Sequence, residues 1–255
     1  MYAGTGEPMK NGVVPGRVIL LFWGMALLAA TFTGLIFFIP LETYQLYSNF
    51  FEVVIASICM ISCLYAYRTW SERIILLLAA FAFGGFALSN TFWYLYSIAE
   101  NLGRQMVFST ISELGFLGFM LFFIVAFRIE FPQKPCPVSS RIVLWGLFLI
   151  IALIVLGTSG ITQNTALLMF RFLIVALLID VALCHGVYQY NLLWPGICLW
   201  SFASVLYGYR EVFVAPVTKN LLTANPFWSL VGPLDILAFL LIQLGLFEYL
   251  NSRQD

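Results

Sequence analysis

The sequence predicts an all-α membrane protein of eight transmembrane helices, built as two parallel four-helix repeats. Three observations carry this. Hydrophobic residues make up 62 % of the chain and charged ones 9 %, against roughly 25 % charged in a soluble domain. Eight apolar stretches reach or approach the roughly 20 residues that a helix needs to cross a bilayer. Finally, landmarks in the first half recur in the second after a shift of about 122 residues. Trp23-Gly24 returns as Trp145-Gly146, Tyr67 falls opposite Tyr188, Asn90 opposite Glu211, and Glu113 opposite Asp235. One matching dipeptide is noise, whereas a near-constant shift across four successive segments is the trace of a duplicated unit.

The expected spans are 18–40, 47–67, 74–97, 107–128, 141–158, 166–189, 192–213 and 227–250. Lipid supplies no hydrogen-bond partners, so a spanning backbone must bond to itself; helices are expected, since a barrel would need alternating polarity and Ile75 to Phe83 is apolar on every face. Residues 1–16 read as a short cytoplasmic tail, 17–130 as the first repeat and 141–255 as the second. The first apolar run is longer than a signal-peptide core of roughly 7–15 residues, so it is expected to remain as a span. Between the repeats lies 131–140, where Pro132, Pro135 and Pro137 deny a helix and leave a stiff linker.

Lys and Arg give the orientation. With the N-terminus inside, Lys10, Arg17, Arg68, Arg73, Arg128, Lys134, Arg141 and Arg253 share one side, and Arg104, Arg210 and Lys219 the other. Eight against three matches the positive-inside bias. The expected location is the cell (inner) membrane, multi-pass, with both termini cytoplasmic.

The ionisable residues of the spans gather in the outer half. Glu52 and Arg171 sit at matching depths in the second and sixth helices. Glu113 and Asp235 enter the fourth and eighth from outside, and Asn90, Arg210 and Glu211 approach the same level from the third and seventh. Only Asp180 is expected near mid-membrane, with His185 toward the cytoplasmic end. An ionised group at the centre of a span costs roughly 2.5–3.5 kcal/mol on insertion scales, so it faces a partner or a wet cavity. Two readings stay open: an outward-opening pocket formed by Glu52, Asn90, Trp93, Glu113, Arg171, Arg210, Glu211 and Asp235, or a set of ion pairs and helix-dipole contacts that only staples the bundle. Trp93, Tyr94, Tyr96 and Trp228 suit an outer aromatic belt. Ser109, Ser112, Gly115 and Gly118 recur every third residue on the fourth helix, a small-residue seam that predicts a tight neighbour, within the chain or in a second copy.

Several chemistries have no footing in the residues. A single histidine cannot build a bis-histidine haem, a di-iron site or a multi-histidine zinc site. No lysine lies in a span, which removes a retinal Schiff base. No phosphate-binding loop or nucleophile elbow occurs. Cys59 and Cys63 share a helix face without further ligands, as packing thiols do, and no disulfide is expected. Neither an enzyme nor a cofactor is expected, and with no formal net charge and no basic block, no nucleic acid.

The run Leu88 to Glu100 (LSNTFWYLYSIAE) and then Phe108 to Phe119 (FSTISELGFLGF) resembles the polytopic membrane sensor modules that precede GGDEF diguanylate-cyclase and histidine-kinase domains. Asn90, Trp93, Tyr96, Ser112 and Glu113 fill the places of that pattern, and Tyr47 to Glu52 is also similar. The resemblance implies a ligand-binding or signal-sensing module. Because only five residues follow the last span, with no catalytic output domain, output is expected to pass to other membrane or cytoplasmic signalling proteins. An accessory subunit of a larger membrane complex, including a homo-oligomer, is the main alternative, and a transporter the third.

Overall fold

A computed structural model describes residues 16–34, 38, 41–69, 73–101, 109–136, 138–160, 163–209 and 230–252. Eight α-helices run through them: α1 (Gly16–Gly34), α2 (Leu41–Thr69), α3 (Ile74–Asn101), α4 (Ser109–Glu130), α5 (Val138–Ser159), α6 (Gln163–Cys184), α7 (Leu193–Tyr209) and α8 (Val231–Ser252). No strand occurs among the described residues. Four stretches are long and apolar enough to cross a bilayer: Tyr47–Thr69, Ile74–Leu95, Val138–Gly157 and Val231–Ser252. Shorter apolar helices cover Gly16–Thr31 and Leu193–Gly208.

The helix α8 is the axis of the bundle, with 78 % of its spanning window buried, whereas α5 lies at the margin with 11 %. Around α8 pack α7, α1 and α2; α3 bridges α2 and α4, and α6 joins α4, α5 and α7. The centre is aromatic. Phe86 meets Phe239 at 4.5 Å between ring centroids, and Phe119 meets Trp200 at 4.4 Å. Phe83 presents its edge to Phe119, Phe123 and Phe239. Since lipid tails are as apolar as these side chains, close packing and ring geometry hold the helices together, about 0.5–1.5 kcal/mol for each well-placed aromatic pair.

Small residues set how near the helices come. A Cβ on Gly115 would collide with the Gly85 carbonyl and Ser89, so the seam on α4 serves α3 within the chain. Gly118 faces open space instead and takes no part in that contact; the side chains of Ser109 and Ser112 are outside the described residues. The sequence offered no such seam for the eighth helix, yet a Cβ on Gly245 would meet the Leu193 backbone, and one on Gly196 the Ile242 backbone nitrogen at 2.8 Å. Two glycines on different helices produce this close approach, which spacing within one helix cannot reveal.

The proline-rich linker is clasped to the end of α6. That helix stops at Cys184, five residues short of the expected end, because Gly186 turns left-handed at φ 70°. There Lys134 packs against Gly186, donates its backbone N–H to the Cys184 carbonyl at 2.8 Å and its ammonium to Gln189 at 2.5 Å. His185 Nδ1 contacts the Phe131 carbonyl at 2.6 Å, a helix-end role. The earlier helix end also corrects the depth of Asp180. It lies about 6 Å from the end of α6, at 1.5 Å per residue, and accepts two hydrogen bonds from Arg141 at 2.7 and 3.0 Å.

Candidate functional site

A polar cluster assembles from both halves of the chain. On α2, Glu52 is buried, and its Oε2 accepts a hydrogen bond from the Asn90 amide of α3 at 2.6 Å. One turn earlier Ser48, also buried, reaches Glu52 Oε1 at 3.5 Å, the limit of a hydrogen bond. The start of α8 lies directly over these groups. Gly232 is pressed so closely on Ser48 and Glu52 that no Cβ could fit, and this contact carries Asp235 into electrostatic range of both Glu52 and Arg171.

Arg171 enters from α6. It is 6 % exposed, and its guanidinium lies over the Phe116 ring of α4 at 5.1 Å and the Tyr207 ring of α7 at 4.7 Å. Two aromatic faces replace part of the hydration that a buried cation gives up, worth about 2 kcal/mol or more for a desolvated pair. Opposite Arg171 is Asp235, 7 % exposed, whose Oδ1 is buried without a hydrogen-bond partner. An orphaned buried acceptor costs about 1–3 kcal/mol, more when charged, and native structures retain few of them.

Of the eight residues expected at the site, the cluster thus holds Glu52, Asn90, Arg171 and Asp235. Trp93 follows Asn90 by one turn of α3 and is half-buried. Glu113 lies in the second turn of α4 with its side chain outside the described residues, where Arg210 and Glu211 also fall. Within the supposed aromatic belt, Tyr94 stacks obliquely on Phe50 at 6.1 Å; Trp228 and the Tyr96 side chain are outside the described residues. The sequence did not point to Ser48, Gly232, Phe116 or Tyr207. Ser48 had a weak signal, four residues before Glu52 on the same face; the other three are ordinary residue types in an aromatic, glycine-containing chain.

A second polar network closes the opposite end. Glu130 Oε1 accepts hydrogen bonds from Arg73 at 2.6 Å and from the Tyr249 hydroxyl at 2.5 Å. Arg73 also reaches the Tyr249 hydroxyl at 3.2 Å and lies 5.7 Å from the centre of its ring. The hydrogen bond to Glu130 raises the Arg73 pKa above its ordinary value, keeping the guanidinium charged. Tyr249 packs on Phe131 and Tyr190, while Glu248 accepts the Leu192 N–H at 3.2 Å. So α8 has Asp235 in the first cluster and Glu248 and Tyr249 in the other network, nearly four turns away at 3.6 residues per turn.

No group of three or more His, Cys, Asp or Glu side chains suited to a metal ion occurs among the described residues. No protein family, curated protein or solved structure matches the chain.

Proposed function

We propose that the chain is a polytopic membrane module that binds a ligand or senses a signal through the polar cluster around Glu52, Asn90, Arg171 and Asp235, and passes its state to a partner protein. The observation that carries this reading is the unsatisfied Asp235 carboxylate oxygen beside a buried arginine. A staple selected for stability alone would leave no acceptor unused, whereas a site for a polar ligand keeps one in reserve. The helix α8 offers a physical route for output, because it enters both polar networks and its span is the most buried of the four candidate spans. A shift at Asp235 therefore acts on Tyr249, Phe131 and the linker.

In this reading the eight helices are eight spans, duplicated four by four, in the cell membrane with both termini cytoplasmic. The packing supports the duplication. Shifting each helix by four exchanges the α2–α8 contact with the α6–α4 contact, and α3–α4 with α7–α8; all four occur. The outer position of the cluster follows from the same topology, as does the cytoplasmic position of the Arg73–Glu130–Tyr249 network.

The test is native mass spectrometry of the protein purified from its own membranes. Wild type should retain a bound small molecule that Asp235→Asn and Arg171→Met lose while both variants remain folded. Variants that lose stability, beside a wild type that carries nothing, would reduce the cluster to a staple.

An accessory subunit is the second reading, favoured by α5, where Ile142, Val143, Leu147, Leu149, Ile150 and Leu153 are all more than half exposed. Such a subunit would co-purify with a fixed set of membrane proteins through that helix.

A further inference from the structure

Two thiols meet where the linker joins the end of α6. Cys136 lies in the irregular segment that follows Phe131, and Cys184 is the last residue of α6; both are free and half-buried. Their side chains are in hydrogen-bonding contact.

The backbone and its neighbours hold this contact from both directions along the chain. Two residues before Cys136, the Lys134 backbone N–H donates to the Cys184 carbonyl at 2.8 Å, and the Lys134 side chain lies against Gly186. Five residues after Cys136, Arg141 of α5 donates to both carboxylate oxygens of Asp180 at 2.7 and 3.0 Å. Asp180 precedes Cys184 by about one turn and so shares its face of α6. These two tethers bracket Cys136 and hold it against Cys184, with the Arg141 guanidinium in electrostatic range of both sulfurs. The sequence adds stiffness, because Cys136 stands between Pro135 and Pro137 and a residue before proline is biased toward an extended backbone. Little conformational freedom is left to lose when the sulfurs join. Cys59 and Cys63 also lie about one turn apart on α2, but both are 0 % exposed and closed to any reagent. Partial exposure is what sets the linker pair apart.

We propose that Cys136 and Cys184 form a thiol–disulfide modification site that takes a small-molecule disulfide such as oxidised glutathione as its substrate. One cysteine thiolate attacks a glutathione sulfur, forming a mixed disulfide and releasing one glutathione thiolate. The other cysteine then attacks the protein sulfur of that mixed disulfide and releases the second glutathione. The two cysteines lose two electrons and two protons, and the glutathione disulfide becomes two glutathione thiols. The new bond ties the linker covalently to α6, and through Phe131, which packs on Tyr249, it steadies a segment that touches α8. The site stands whether or not the polar cluster binds a ligand. In the topology proposed above this end faces the cytoplasm, where protein disulfides are transient and serve redox sensing.

Redox titration of the purified full chain tests this. The protein in detergent is equilibrated with mixtures of reduced and oxidised glutathione, quenched with acid, alkylated and mapped by peptide mass spectrometry. The peptides carrying Cys136 and Cys184 should appear joined and be parted by a thiol reductant, while Cys59 and Cys63 stay reduced. The folded chain should form this bond roughly tenfold or more in preference to the chain unfolded in denaturant, since folding supplies the proximity. Cys136→Ser should leave Cys184 as a mixed disulfide with glutathione, and Cys184→Ser should do the same for Cys136. Oxidation should also slow amide hydrogen exchange in the linker several-fold in wild type and leave it unmoved in Cys136→Ser. Circular dichroism and size exclusion establish that each variant is folded. Separate glutathione adducts on the two cysteines of the folded wild type, a bond no more favoured than in the unfolded chain, or linker exchange unmoved by oxidation overturns the proposal.

Discussion

Asn90 gives the Glu52 carboxylate a hydrogen bond of 2.6 Å, and both side chains are buried. Asn90→Ala should therefore leave a buried carboxylate oxygen short of a donor and destabilise the protein by about 1–3 kcal/mol, read as a lower unfolding midpoint in detergent. Asn90→Asp should be worse, since it sets two acids together. Gly232 is similarly constrained by space alone. Any side chain there must displace Ser48 and Glu52, so Gly232→Ala should cost about 1–3 kcal/mol by overpacking, whereas the same change at Gly118, which faces open space, should leave the midpoint unmoved or raise it. Counting along the expected spans was enough to bring Glu52, Asn90, Arg171 and Asp235 to one level, but it misplaced Asp180, because α6 ends at Cys184. Their lateral partners were not legible in the sequence, because helices that are apolar all round carry no signal for rotation. Hence Gly232 against Ser48, and Arg171 between Phe116 and Tyr207, emerge only once the helices are packed.

The linker shows the same limit at the level of elements. Three prolines marked a break in helix, which covers 131–136 among the described residues before α5 begins at Val138, three residues ahead of the span start expected at 141. Proline content says nothing, however, about what a segment touches. In the fold Phe131 is 3 % exposed and packs on Phe127, Tyr190 and Tyr249, while its neighbour Gln133 is exposed. Phe131→Ala should thus cost about 3–5 kcal/mol, as for a core aromatic, and Gln133→Ala almost nothing; chemical unfolding of the pair distinguishes a clasp from a passive connector. Next to it, Tyr249→Phe removes one of two donors to Glu130, an expected loss of about 0.5–1.5 kcal/mol. A double-mutant cycle with Glu130→Gln should return a non-zero coupling energy, since the two side chains share one hydrogen bond.

For the whole molecule, the proposed duplication and the proposed site pull in different directions. Contacts between helices match the proposed repeat in part: α2 on α8 pairs with α4 on α6, whereas the packing of α1 on α8 has no counterpart of similar extent between α5 and α4. Charges do not. Glu52 on α2 and Arg171 on α6, of opposite charge, both lie within electrostatic range of Asp235, and in the sequence the neutral Asn90 falls opposite Glu211. If the proposed duplication holds, the positions that differ between the copies are the ones free to serve function. The helix α8 then unites the two ends of the molecule, and its Asp235 bears the cost of the arrangement. A carboxylate kept for ligand binding is expected to oppose stability, whereas one kept as a structural staple is expected to supply it. Asp235→Asn distinguishes these without knowledge of any ligand, in a single thermal unfolding curve of the purified protein. A site predicts a more stable variant, by about 1–3 kcal/mol, because a neutral amide costs less to bury than a carboxylate with an unpaired oxygen. A variant destabilised by about 3–5 kcal/mol, the loss that follows when one partner of a buried ion pair is removed, would contradict it.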